Sequence, residues 1–70
     1  MIIHVVRNTE YGEDLKAFTS YQAAVQFALE DAKGYENSLD EGEREAWRQS
    51  IRENENDFYR ISTLTLETGA

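Results

Sequence analysis

The stretch FTSYQAAVQFALEDA, residues 18 to 32, marks the change from strand to helix and so decides the fold class. Thr19 and Gln22 have the spacing of a capping box, in which the Thr19 hydroxyl accepts from the backbone N–H of Gln22. Apolar residues then recur every three or four positions, which predicts an amphipathic helix. They are Tyr21, Ala24, Val25, Ala28, Leu29 and Ala32. Gly34 is expected to end this helix in the left-handed conformation.

The residues before this helix predict a β-hairpin. Ile2 to Arg7 is rich in β-branched residues and has apolar side chains on both faces, which indicates a central strand. Asn8 to Asp14 contains turn residues, and Leu15 to Phe18 has the length of a short second strand.

The residues after the first helix predict a second one. Ser38 and Asp40 are each followed by a glutamate three positions later, so both are suitable N-caps. The helix should end near Asn54, because a polar run follows. Three arginines that recur every four residues form a stripe on this helix, and we expect that stripe to lie on a solvated face. The stripe consists of Arg44, Arg48 and Arg52.

Phe58 to Leu66 predicts the last strand. Tyr59 and Ile61 share one face of this strand, whereas Leu64 and Leu66 share the other. Two interpretations follow: a β-bulge near residues 62 and 63 brings all four to the core, or the strand is buried on both faces at different points.

The predicted fold is therefore a single α+β domain over residues 1–70 with the order ββααβ. A three-stranded sheet carries a two-helix hairpin packed on one face. We expect the apolar first strand to be central and the last strand to lie parallel beside it, with the helices as the crossover.

Composition restricts the possible functions. The chain has 14 acids against 7 bases, a net charge of −7. Such a chain is repelled by phosphate backbones and by anionic lipid, so we expect no direct nucleic-acid binding and no membrane binding. The absence of cysteine excludes disulfides and thiolate metal sites and fits a reducing cytoplasm. We recognise no signal peptide and no transmembrane span.

Catalytic motifs are missing from the sequence. His4 is the only histidine, and it lies in an apolar strand without a neighbouring ligand. No serine stands in a nucleophile turn, and the scattered glycines do not form a phosphate loop. We therefore expect neither an enzyme nor a cofactor or metal site.

The run ENSLDEGERE, residues 36 to 45, is the most acidic segment. Helix initiation explains part of this density, since caps and acids are favourable at a helix N-terminus. The remaining carboxylates, with an adjacent tyrosine, are our candidate partner-binding surface. It consists of Glu30, Asp31, Tyr35, Glu36, Asp40, Glu41 and Glu45. Carboxylates on a rigid scaffold resemble nucleic-acid phosphates, so the expected partner is a larger basic protein or nucleoprotein complex.

Three segments together give the chain a recognisable type: the start MIIHVVRNTEYGED, the helix entry FTSYQAAVQFALEDA and the acidic run ENSLDEGERE. In size, acidity and layout the chain resembles the small inhibitor proteins of bacteriophages and mobile elements, anti-CRISPR proteins among them. The resemblance implies an inhibitor that acts in the host cytoplasm. The alternative hypothesis is a homo-oligomeric structural or regulatory module, a homodimer for example, that pairs through the edge strand FYRISTLTLE.

Overall fold

The computed structural model describes residues 1–67 and confirms the α+β fold with the order ββααβ. A short additional helix joins the two main helices. The elements are β1 (Ile2–Asn8), β2 (Glu13–Phe18), α1 (Tyr21–Asp31), α2 (Lys33–Glu36), α3 (Glu41–Arg52) and β3 (Tyr59–Thr65). Within residues 1–67, no helix combines the length and the apolar character that crossing a membrane requires.

The sheet has the order β2-β1-β3, which confirms β1 as the central strand. The predicted parallel pairing is wrong, because β3 runs antiparallel to β1. The reason lies in residues 53–58, which return along the outer edge of β3 after α3. Asn54 bonds to Ile61 and Asn56 to Tyr59 along this path. The chain therefore enters β3 beside Asn8, where β1 ends.

The helix boundaries differ from the prediction at α1. Ser20, not Thr19, is the N-cap, and its hydroxyl accepts from the backbone N–H of Ala23 at 3.3 Å. The helix ends at Asp31, and the chain continues through right-handed Ala32 into α2. Gly34 therefore lies inside α2, so the prediction of a left-handed stop at this residue is wrong.

Two polar residues define the ends of α3. Asp40, one of the two predicted caps, forms a capping box with Glu43. The helix ends at Arg52, and Asn54 reverses the chain with a positive φ of 58°. Asparagine tolerates this left-handed conformation better than other non-glycine residues do.

The core lies between α1 and one face of the sheet, and α3 packs against α1 and contributes Ile51 to the same cluster. Two buried alanines on α1, together with buried Ala32 at its C-cap, allow the helix backbone to approach the strands closely. The fully buried apolar residues are Val6, Ala24, Ala28, Ala32, Ile51, Tyr59 and Ile61.

The pairing of β1 with β3 is regular from one end to the other, so the predicted bulge in β3 is absent. The irregularity lies instead between Val6 and Arg7, opposite β2. Leu64 and Leu66 consequently stay on the face away from the helices, where they are 48% and 46% exposed. The alternative of burial on both faces is therefore also wrong.

Candidate interaction surfaces

Two arginines of the α3 stripe, Arg44 and Arg48, do not lie on a freely solvated face, because they bind α2, whereas Arg52 pairs within α3. Arg48 forms two hydrogen bonds with the Glu36 carboxylate, at 2.9 and 3.1 Å. Arg44 donates to the Glu36 carbonyl oxygen at 2.8 Å. The bond from Arg48 lowers the pKa of Glu36, against the opposing effect of its burial. Glu36, a member of the predicted partner-binding surface, is buried in α2 and anchors this helix to α3.

Three other predicted carboxylates have partners within the chain. Glu30 pairs with Lys33 at 3.1 Å, and Asp31 accepts from the Tyr59 hydroxyl at 2.7 Å. Glu45 bridges two arginines of its own helix, Arg48 at 3.9 Å and Arg52 at 3.5 Å. Glu30 and Glu45 are exposed and partly neutralised by these bases, whereas exposed Asp31 accepts only from a neutral hydroxyl.

The two remaining acids of the predicted set differ from each other. Asp40 accepts from the backbone N–H of Glu43 at 2.8 Å, and this bond lowers its pKa. The Glu41 side chain makes no hydrogen bond and no ion pair with the residues that the structure describes. It is the one predicted carboxylate whose replacement would disturb no contact in the described part of the fold.

Tyr35 is half-buried rather than free. Its ring stacks on Phe58 at 5.4 Å between centroids and packs against Trp47 at 5.9 Å. Its hydroxyl donates to Glu10 at 2.7 Å. Tyr35 therefore connects α2 to the loop between β1 and β2.

The basic side chains are all engaged within the chain. Four of them form ion pairs: Arg7, Lys33, Arg48 and Arg52. Arg44 and Arg60 donate to backbone carbonyl oxygens, and Lys16 lies 5.6 Å from the ring centroid of Phe18. Within residues 1–67, ten of the 14 acids have no base within 4.0 Å, which leaves them unneutralised. They are Glu10, Glu13, Asp31, Asp40, Glu41, Glu43, Glu53, Glu55, Asp57 and Glu67.

The acids are segregated along the molecule, which measures 51 Å in its longest dimension. Residues 1–9, 15–29 and 58–66 contain no acid at all. We call the end of the sheet where Asn8 pairs with Glu13 and Tyr59 the acidic end; Glu10, Glu13, Asp31 and Asp57 lie there. The opposite end, where Ile2 pairs with Thr65, is the apolar end.

Two buried asparagines hold the acidic end in place. The Asn8 side chain accepts from the backbone N–H groups of Glu10 and Tyr11 at 3.0 and 3.2 Å. The Asn56 side chain accepts from Phe58 and Tyr59 in the same way, at 2.8 and 3.0 Å. Because both loops are fixed by these bonds, the carboxylates at this end have defined positions.

Tyr59 is the buried side chain that packs beneath the acidic end. It is 2% exposed, and burial, with its hydrogen bond to Asp31, raises the pKa of its hydroxyl. Its ring lies 6.1 Å from that of Tyr35, so the carboxylates of Glu10 and Asp31 are held by neighbouring tyrosines. Glu10, Glu13 and Asp57 were not part of the predicted surface; the signal for Glu10 and Glu13 was the acidic segment between the first two strands.

The apolar end collects most of the exposed large hydrophobic residues. Of those in the described chain, all except Tyr11 lie here. They are Met1, Ile2, Tyr21, Leu64 and Leu66. Exposed apolar groups that cluster in this way are typical of an interaction surface.

The outer edge of β3 is closed along one half and open along the other. The backbone of Phe58 bonds to Thr9 and that of Leu66 to Met1, so even-numbered residues pair with β1. The odd-numbered residues therefore direct their N–H and C=O groups outward. Along the closed half, the Asn56 side chain accepts from the backbone N–H of Tyr59. The Asn54 side chain accepts from the backbone N–H of Ile61 at 2.8 Å and donates to its carbonyl oxygen at 2.9 Å.

Thr63 and Thr65 continue this edge without such cover. No strand among residues 1–67 pairs with their outward backbone groups. The side chain of Thr63 turns toward the helices, where its hydroxyl bonds to His4 at 2.9 Å.

An open groove of about 480 Å³ lies between α1 and α3. Its polar lining consists of Tyr21, two glutamines and Arg52, without a carboxylate or an imidazole. Among residues 1–67, no three side chains of the metal-binding types lie together. The groove therefore provides no acid–base pair for catalysis.

Comparison with known proteins identified no matching family model, no matching curated protein and no matching solved structure. The two ends of the sheet must therefore be interpreted from their own geometry.

Proposed function

We propose that the protein is a small inhibitor or modulator that binds a basic surface of a larger protein or nucleoprotein complex in the cytoplasm. The observation that carries this proposal is the segregation of charge. The basic side chains are engaged by groups of the same chain. Within residues 1–67, ten carboxylates have no basic partner within 4.0 Å. A surface of this kind attracts Lys/Arg grooves that otherwise hold phosphates.

The acidic end is better suited to this role than the acidic run at the start of α3. Asp40 and Glu43 of that run are occupied by capping, and Glu45 bridges two arginines. At the acidic end, Glu13 and Asp57 are exposed and have no side-chain partner among the described residues. Glu13 is held at the start of β2 by pairing with Asn8, and Asn56 fixes the loop that carries Asp57, which reduces the entropy lost on binding.

The binding mode resembles that of the phage and mobile-element inhibitors, which the size and acidity of the chain already suggested. The fold contributes rigidity and a defined spacing of negative charge instead of a reactive group. Association by this route is fast and weakens as salt rises, because the attraction acts between exposed charges.

The test uses the immobilised chain and a bacterial extract, at low and at physiological salt. We expect nucleic-acid-binding proteins to be retained and to be released by added double-stranded DNA, which competes for the same basic surface. Glu13→Lys and Asp57→Lys should each weaken retention about tenfold. Glu67→Lys is the matched control, since it changes the net charge equally at the apolar end.

Two outcomes would exclude the proposal. One is that no nucleic-acid-binding protein is retained at either salt concentration. The other is that Glu67→Lys weakens retention as much as the acidic-end variants do, since net charge alone would then explain the binding. The acidic-run variant Glu41→Lys separates the two acidic regions within the same experiment.

A further inference from the structure

The open half of the β3 edge is a short and self-complementary binding site. Thr63 and Thr65 present outward N–H and C=O groups, whereas Asn54 and Asn56 occupy the positions before them. An added strand therefore cannot pair with Tyr59 or Ile61, and it can pair only along residues 62–66. This segment contains no charged residue and no proline, so the usual protections of an edge strand are missing from it.

We propose that this edge pairs with the same edge of a second copy of the chain, around a two-fold axis at Leu64. An antiparallel pair requires outward-facing residues to meet outward-facing residues. With the axis at Leu64, Thr63 of one copy meets Thr65 of the other, and both pairs exchange two hydrogen bonds. An axis at Thr63 would place Ile61 opposite Thr65, and Asn54 blocks that register.

The side chains favour the same register. Leu64, 48% exposed, meets its own symmetry mate at the close, non-hydrogen-bonded position. Within its own chain, Leu64 pairs with Ile3 of β1, on the same face of the sheet. The two copies thus join into one six-stranded sheet with a continuous apolar strip on the face away from the helices. The outward backbone N–H and C=O groups of Thr63 and Thr65 are thus satisfied by the same groups of a second copy.

Repulsion between the two acidic ends does not oppose this pairing, although each chain carries −7. Tyr59 lies about 17 Å along β3 from Leu64, since a strand rises about 3.4 Å per residue. The acidic ends of the two copies point in opposite directions, so they are separated by about 34 Å. That distance is several times the Debye length of about 8 Å at physiological salt. The dimer therefore keeps both acidic ends free.

Cysteine cross-linking tests the register, because the natural chain has no cysteine. Leu64→Cys places two thiols across the two-fold axis, within the Cα separation of about 7 Å that a disulfide permits. Leu66→Cys is the matched control: it is equally exposed, but its symmetry mate lies about 14 Å away along the strand. We expect Leu64→Cys to form a covalent dimer under mild oxidation at least about tenfold faster than Leu66→Cys.

Light scattering over a range of concentrations tests the pairing itself. Thr65→Pro removes an outward N–H without touching the ladder to β1, and should weaken dimerisation at least about tenfold. Thr65→Val keeps the N–H and should leave dimerisation unchanged. Circular dichroism confirms that both variants are folded.

A strictly monomeric chain at high concentration would overturn the proposal, even if the edge binds a foreign peptide. A dimer that survives Thr65→Pro, or equal cross-linking at positions 64 and 66, would place the interface elsewhere and overturn it too. None of these results bears on retention of basic proteins by the acidic end, so the two proposals fail independently.

Discussion

The two ends of β3 differ in burial and in the pairing of their outer backbone edge. Tyr59, at the acidic end, is 2% exposed and donates hydrogen bonds from its backbone N–H and its hydroxyl, whereas Leu64 is 48% exposed on the uncovered face. The acidic end combines a rigid interior with an unneutralised surface. The apolar end combines an open backbone edge with exposed leucines. Stability is therefore concentrated at one end of the strand, and capacity for self-pairing at the other.

The largest effect is expected from removing the buried ring at the acidic end. Tyr59→Ala should lower the free energy of unfolding by about 3–5 kcal/mol, because a large core side chain is lost. Leu64→Ala should cost less than about 1 kcal/mol, since that side chain is half exposed. Urea unfolding followed by Trp47 fluorescence measures both. Similar losses at the two positions would contradict the contrast between the ends.

The closed half of the β3 edge gives the next largest effect. Asn54→Gly removes both bonds to Ile61 but tolerates the positive φ of 58°. We expect a loss of about 1–3 kcal/mol in the free energy of unfolding. The variant also opens Ile61 to pairing, so light scattering should detect more self-association. Unchanged association would show that Asn54 does not protect the edge.

The Glu36 anchor makes stability depend on pH. Because the pKa of Glu36 is lowered by Arg48, its ionised form stabilises the fold above the usual glutamate pKa of about 4.3. That contribution is lost as pH falls through the lowered value. Glu36→Gln should therefore be less stable than the natural chain at pH 7, and the difference should shrink below about pH 4.

Glu41→Gln is the control for this prediction, since Glu41 has no partner among the described residues. Urea titrations of the three proteins from neutral to acid pH measure the difference. A constant gap between Glu36→Gln and the natural chain at every pH would contradict the role of the ionised carboxylate.

The smallest effect comes from a single hydroxyl at the acidic end. Tyr59→Phe deletes the hydrogen bond to Asp31 and should cost about 1 kcal/mol at pH 7. The raised pKa of Tyr59 means that its contribution is present below about pH 10 and is lost as pH rises further. Alkaline unfolding curves of the two proteins should therefore converge. A gap that widens with pH would contradict this assignment.

Local sequence signals identified most of the elements. The β-branched run at the start, the stripe on α1 and the Asp40 capping box all appear where the patterns predicted them. Signals of this kind depend on contacts between residues a few positions apart, and these are visible in the sequence. The cap at Thr19 was missed by one residue because Ser20 is an equally suitable cap.

The candidate surface was harder to predict than the elements. Counting acids identified a run rich in carboxylates, but it did not reveal which carboxylates Arg48 and Tyr59 would bind. Glu36 and Tyr35 consequently moved from the predicted surface into the packing of the fold. Asp57 became a candidate because Asn56 fixes its loop beside Glu10.

The sequence by itself determined the α+β class, the order of the elements and the net charge, because these depend on local pattern and composition. The direction of β3, the closed and open halves of its edge and the separation into two ends were decided by the tertiary structure. These features depend on where residues 53–58 return along the sheet and on which side chains then meet across long sequence distances. Tyr59 and Asp31 illustrate this, since their hydrogen bond joins residues 28 positions apart in the sequence.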